Sequence, residues 1–208
     1  PKKYNRPAAK GLIKPLYMYL QYFSFILLGI ISGINIGIVF ITTLVIFISA
    51  GLLYNVKPFR FKNMPYIDVV CESLNNPIRL MIGWSIISNT SIAPISIMIS
   101  YWFGGAFLMT AKRLSELRYM KHNNMLEELT QYRPTFKHYT ENSLIIALFI
   151  YAMLSSFNIG IFLIKYRYEY IFLFPTIVTL FAYYLFLTLK DNSIVQTPEL
   201  LFKDKGLI

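Results

Sequence analysis

Long apolar blocks separated by short polar stretches run along the chain from Leu16 to Leu189. Six of them meet the requirement of about 20 apolar residues for a helix that crosses a bilayer. They are Leu16–Gly33, Ile36–Leu53, Tyr66–Ile87, Ile92–Ala111, Leu144–Ile164 and Tyr170–Leu189. The blocks are apolar all round, not striped, as expected for helices in lipid. The pattern therefore predicts an all-α protein, a polytopic transmembrane helix bundle forming one domain over residues 1–208. The third block is the least apolar. Its Asp68, Glu72, Asn75 and Arg79 recur at helical spacing and share one face, within an arc of about 60°. Pro77 in the same block predicts a kink, because proline removes a backbone hydrogen bond.

Two arrangements suit that polar face: an internal Glu72–Arg79 pair, or a polar pocket at one membrane face fed by Lys57, Arg60 and Lys62. Ionisable groups inside a membrane segment mark function by default, which favours the pocket. Downstream, Ala111 to Arg118 reads as a helix leaving the membrane, with Lys112 and Arg113 placed to pair with Glu116. Met125 to Leu129 predicts a short interfacial helix, and Thr140-Glu141-Asn142-Ser143 a helix N-terminus. Gly104-Gly105 suits close helix packing.

Composition changes this picture little. Hydrophobic residues make up 56% of the 208 and charged residues 14%, where a soluble domain is about one-quarter charged. The net charge of +10 would point to nucleic acid on a soluble protein. Here the basic residues alternate with apolar blocks, so no nucleic-acid partner is expected. All 20 lysines and arginines except Arg79, Lys165 and Arg167 fall on one side of the predicted membrane. The positive-inside rule makes that side cytoplasmic and the protein an integral component of the cytoplasmic (inner) membrane, with loops 55–65 and 112–143 facing the cytoplasm. Cys71 stands alone, so no internal disulfide forms, and His122 and His138 lack partners at zinc spacing.

The opening Pro1-Lys2-Lys3-Tyr4-Asn5-Arg6-Pro7-Ala8-Ala9-Lys10-Gly11 resembles the tail of the first signature of the UbiA superfamily of membrane prenyltransferases, Pro-x-Lys-x-x-Arg-Pro-x-Ala-x-Gly. Tyr54 to Asp68 is similar to that family's loop between its fourth and fifth helices. Lys112-Arg113-x-x-Glu116 stands where many members carry Asp-x-x-x-Asp. With Tyr139-Thr140, Pro198-Glu199 and the Arg79/Gly83 spacing, it resembles the decaprenyl-phosphate phosphoribosyltransferase branch.

The resemblance implies a bundle of about nine helices, of which the first helices and the first aspartate-rich motif would precede Pro1. It implies a transferase acting on a polyprenyl phosphate or diphosphate in membrane lipid, with a small-molecule co-substrate and Mg²⁺ assisting diphosphate departure. Within it, Asp68, Glu72 and Glu116 are the expected catalytic residues, with Asp68 and Glu72 also the metal ligands. Lys3, Arg6, Tyr54, Lys57, Arg60, Lys62, Asn75, Arg79, Lys112 and Arg113 are the expected substrate-binding residues. Phosphoribosyl transfer from phosphoribosyl diphosphate to polyprenyl phosphate is preferred. Prenyl transfer from polyprenyl diphosphate to an aromatic or isoprenoid acceptor, and a non-catalytic membrane protein or transporter, remain as alternatives.

Overall fold

The computed structural model describes Pro7 and residues 10–88, 90–190 and 193–196. Lys3, Arg6 and the tail from residue 197 lie outside the described residues. Among these residues there are eight α-helices, linked by turns and short 3-10 segments, and no strand.

The first two helices, α1 (Pro15–Ile34) and α2 (Ile38–Asn55), form a hairpin. Proline at the start of α1 costs nothing, because the first-turn N–H groups have no helical partner. The tight turn uses Gly37 at φ 139°, and Gly33 is a glycine for lack of room: a Cβ there would lie 2.6 Å from the Phe40 ring. Hardly any of either helix is buried, as an apolar helix in lipid requires.

The expected third span, Tyr66–Ile87, is not one continuous helix. It divides at Leu74 into α3 (Ile67–Ser73) and α4 (Asn75–Ile87). Pro77, third in α4, is the physical reason: its ring removes one N–H and crowds the carbonyl four residues back. Asn75 bridges the break by donating its side-chain amide to the Glu72 carbonyl at 3.1 Å.

Helix α5 (Ile95–His122) is the spine of the fold, 28 residues and about 42 Å long. It packs along α7 (Glu141–Tyr166) and also contacts α3, α4 and α8 (Leu173–Leu189). Phe107, Leu114, Leu144, Leu148 and Leu187 from α5, α7 and α8 are fully buried and make the core. Ser100 and Ser155 lock α5 to α7 reciprocally, each hydroxyl donating to the other's carbonyl at 3.0 and 2.9 Å. The predicted N-terminus of α7 is a capping box: Thr140 accepts from the Ser143 N–H, and Ser143 accepts from the Thr140 N–H. A short helix does form where one was expected from Met125 to Leu129, as α6 (Leu126–Tyr132).

Three helices, α1, α2 and α7, are long and apolar enough to cross a membrane, and α8 is a shorter apolar helix. Helix α5 is apolar in its first half only, and its second half carries Lys112, Arg113, Glu116, Arg118 and Lys121.

The kink of α3–α4 seats on α5 at Gly105, where a Cβ would lie 1.9 Å from Asn76 Nδ2 and 3.2 Å from Ser73 Cβ. Gly105→Ala is therefore expected to destabilise the protein by about 1–3 kcal/mol, the range for overpacking a filled contact. Gly83→Ala on α4 is the control, because nothing lies within 4 Å of its Cβ position. Thermal unfolding of the purified protein checks the pair: the first variant melts lower, the second does not.

Candidate functional site: a buried carboxylate–arginine cluster

Asp68 and Glu72 stand one turn apart on α3, and two like charges at that spacing repel. Such a pair, with Asp68 fully buried, needs cations from elsewhere in the fold. Two arginines supply them. The side chain of Arg113 on α5, 4% exposed, reaches three carboxylates: Asp68 Oδ2 at 3.5 Å through Nε, Glu72 Oε2 at 3.0 Å through Nη2, and Glu116 Oε2 at 3.2 Å through Nη1. Arg133, in the turn after α6, reaches Asp68 Oδ2 at 3.0 Å and Glu72 Oε2 at 3.8 Å. Burial disfavours the Arg113 charge, but Glu116, Glu72 and Asp68 outweigh it and hold the guanidinium above the ordinary arginine range.

Two tyrosines complete the cluster. The Tyr139 hydroxyl donates to Asp68 Oδ1 and accepts from the Tyr66 N–H at 2.9 Å. Tyr66 sits at φ 63°, a conformation that bulky residues seldom adopt and that directs this N–H at Tyr139. Burial and then the bond to Asp68 push the Tyr139 phenol above its usual range. The Tyr54 hydroxyl, at the end of α2, donates to Glu72 Oε2 at 2.8 Å and accepts from Arg133 Nη2 at 2.9 Å.

The cluster thus ties α2, α3, α5 and the α6–α7 connection together at one end of the bundle, where loops 56–66 and 123–140 meet. It is sealed on one side and open on the other. Asp68 is 0% exposed, whereas the Glu72 and Glu116 side chains are 34% and 29% exposed. With all groups ionised, three carboxylates face two guanidinium groups. A ligand arriving at the open side meets Glu72 and Glu116 first, with Arg113 behind them.

Of the expected site residues, Asp68, Glu72, Glu116, Arg113 and Tyr54 come together here. Arg79 does not join them. The internal Glu72–Arg79 pair is absent: Glu72 turns to Tyr54 and the arginines, and Arg79 lies over the Phe47 ring at 5.6 Å. Seven residues of helix put the two about 10 Å apart along the axis, beyond ion-pair reach. Asn75 serves the backbone of the kink. Lys112 is half-buried, and the ion pair with Glu116 is made by Arg113 instead. In the loop, Lys57 is exposed, Lys62 donates to Asn55 at 3.3 Å, and Arg60 has a buried Nε without a hydrogen-bond partner.

In the sequence Arg133 reads only as a cytoplasmic-side charge, and Tyr139 enters only within a family pattern. The repulsive Asp68/Glu72 spacing was the available signal that distant cations had to exist.

Mg²⁺ does not fit Asp68 and Glu72 in this arrangement. Asp68 is enclosed by Tyr139 and both arginines, and Glu72 is held by Arg113, Arg133 and Tyr54. Among the described residues, no three His, Cys, Asp or Glu side chains gather as a ligand set.

Tyr139→Phe removes one hydrogen bond to a sealed carboxylate and leaves the ring in place. The expected loss of stability is about 1.5–3 kcal/mol, read as a lowered midpoint of thermal unfolding. The exposed Tyr168→Phe is expected to leave the midpoint unmoved.

The chain matches no protein-family model, no curated protein and no solved structure.

Proposed function

We propose that this chain belongs to a UbiA-like membrane transferase that acts on a polyprenyl phosphate, with phosphoribosyl diphosphate as donor. The observation that carries the reading is the convergence of Arg113 and Arg133 at one end of an apolar bundle, behind a solvent-open pair of carboxylates. A guanidinium pair suits phosphate oxygens, because its planar fork makes bidentate, charge-assisted contacts.

In that reaction an oxygen of the lipid phosphate attacks C1 of the ribose. The bond from that carbon to diphosphate breaks, and the electron pair leaves with the diphosphate. Arg113 and Arg133 stabilise the charge on the phosphate groups, from positions fixed in advance by Asp68. Glu72 holds the guanidinium groups between turnovers and yields to the phosphate that replaces it. Glu116 then orients Arg113 or the ribose hydroxyls. The apolar surfaces of the bundle accommodate the isoprenoid tail, and Lys57 and Lys62 raise the local concentration of the anionic donor. In this arrangement six membrane segments, with α3–α4 as one broken span, belong to a larger bundle in the inner membrane whose basic loops face the cytoplasm.

A second reading rests on a specific observation: every charge in the cluster already has a partner within it. On that reading the cluster is a structural lock between α3, α5 and the α6–α7 connection in a non-catalytic membrane protein. Membranes containing the full-length protein separate the two. Offered labelled phosphoribosyl diphosphate with polyprenyl phosphate, they are expected to form ribosylated lipid. Formation of a prenylated acceptor from polyprenyl diphosphate instead, or of neither product, would overturn the phosphoribosyl assignment.

A further inference from the structure

The turn between α7 and α8 has no part in the cluster, yet it carries the densest run of exposed rings in the fold. Tyr166, Tyr168, Tyr170 and Phe172 alternate there with Lys165, Arg167 and Glu169. All four rings are exposed, Tyr168 by 76% and Phe172 by 88%. Single exposed rings need no explanation, but a contiguous apolar patch rimmed by charge marks an interaction surface.

The turn is built, not frayed. Around its 3-10 segment (Tyr168–Tyr170), the N–H groups of Arg167, Tyr170, Ile171 and Phe174 donate to the carbonyls of Leu163, Arg167, Tyr168 and Ile171, each at 2.9 or 3.0 Å. A backbone closed on itself is what a poorly hydrated surrounding requires. The Phe174 ring packs at Gly160, where a Cβ would lie 3.5 Å from it, and so joins α8 to α7 beside the turn. The phenols of Tyr166, Tyr168 and Tyr170, by contrast, find no hydrogen-bond partner among the described residues.

Depth follows from the two helices that the turn joins. Helix α7, 26 residues and about 39 Å, exceeds a hydrocarbon layer of about 30 Å. Helix α8, 17 residues and about 26 Å, falls just short of it. The residues before Leu173 therefore complete the crossing, which sets the turn at the hydrocarbon border. Tyrosine collects at that level, because its ring is apolar and its hydroxyl polar. The cations fit the same level. The positive-inside rule disfavours them on this side, and the neighbouring turns at 35–37 and 88–94 carry no charge. Their contacts within the protein are exposed and weak: Arg167 meets Glu169 at 3.4 Å, and Lys165 lies over the Tyr166 ring at 5.4 Å.

We infer that the α7–α8 turn is a lipid-binding anchor that rests in the phospholipid headgroup layer on the side away from the basic loops. Phe172 enters the acyl chains, the phenols lie among the headgroups, and Lys165 and Arg167 face lipid phosphates. The rings draw the turn inward, and the two cations stop it from sinking further. Charge complementarity and the mixed chemistry decide the occupant. A protein covering this patch would bury both cations together with the rings, whereas the headgroup layer takes rings and cations at one level.

The inference rests on α7 crossing a membrane and not on the transferase reading, so its test reads depth. Full-length protein without its native cysteines carries one nitroxide, on Met153→Cys, Tyr168→Cys or Phe172→Cys, in phospholipid nanodiscs. Power saturation compares collisions with oxygen, which concentrates in hydrocarbon, and with a water-soluble nickel chelate. Met153, exposed at the middle of α7, is the reference for the crossing. Oxygen is expected to dominate at 153 and 172, with the two reagents comparable at 168. Lys165→Leu/Arg167→Leu is expected to lower nickel collisions at 168 severalfold, as the turn sinks. Nickel dominance at 168 and 172 would place the turn in water, and shielding from both reagents would place it against protein; either overturns the proposal. An unmoved reading at 168 in the double variant would overturn it as well. Nickel dominance at 153 would overturn the crossing and the anchor together.

Discussion

Replacing Asp68 by alanine is expected to destabilise the protein by about 3–5 kcal/mol, one of the two largest effects of any single change here. The carboxylate is 0% exposed and meets Arg113, Arg133 and the Tyr139 hydroxyl together. Its removal takes from both guanidinium groups the one fully buried carboxylate they share and leaves the Tyr139 phenol without its acceptor. Breaking a buried ion pair from one side carries that penalty, even where the intact pair contributes little over a well-packed apolar substitute. The change is read by thermal or denaturant unfolding in detergent or nanodiscs. A shift within that of a surface variant such as Lys57→Ala would contradict the burial argument.

Arg113→Ala is expected to cost at least as much, because it leaves Asp68 and Glu72 with Arg133 alone and takes the arginine from Glu116. The two losses share one interaction, so they are not additive. The Asp68→Ala/Arg113→Ala double variant is expected to be less destabilised than the sum of the singles, with a coupling of about 0.5–3 kcal/mol. Simple additivity would mean that the 3.5 Å contact between them carries no energy. The same fact restricts the use of Arg113 as a functional probe. Its alanine variant disturbs the fold and any bound phosphate at once, and a loss of activity alone assigns it to neither.

What could be read from the sequence was local. The Thr140/Ser143 cap, the interruption near Pro77 and the Arg113–Glu116 pair each follow from residues three or four apart. The apolar blocks announced the helices, and the four-residue Asp68/Glu72 spacing announced a polar face. The site itself was assembled across distances that pattern does not reach: Tyr139 lies 71 residues from Asp68, and Arg133 is 79 from Tyr54. Helical phase also misled at Arg79. It placed Arg79 on the same face as Glu72, but phase says nothing about depth, and two turns of axis plus the Leu74 break keep them apart. The fourth apolar block ends at Ala111, and the helix expected to continue from there to Arg118 runs on to His122, because Lys112 to Lys121 continue good helix formers beyond the apolar half.

The central claim is that the two arginines hold a phosphate, and Arg133 tests it better than Arg113. It is 15% exposed, sits in a connection, and touches two carboxylates instead of three. The decisive measurement is equilibrium binding of a short-chain polyprenyl phosphate, and of the matching polyprenyl alcohol, to full-length protein and to Arg133→Ala. Loss of a charge-assisted contact of about 1.5–3 kcal/mol predicts phosphate binding weakened roughly tenfold to a hundredfold, with the alcohol bound equally by both proteins. Equal binding of the phosphate by wild type and a folded Arg133→Ala protein would contradict the account.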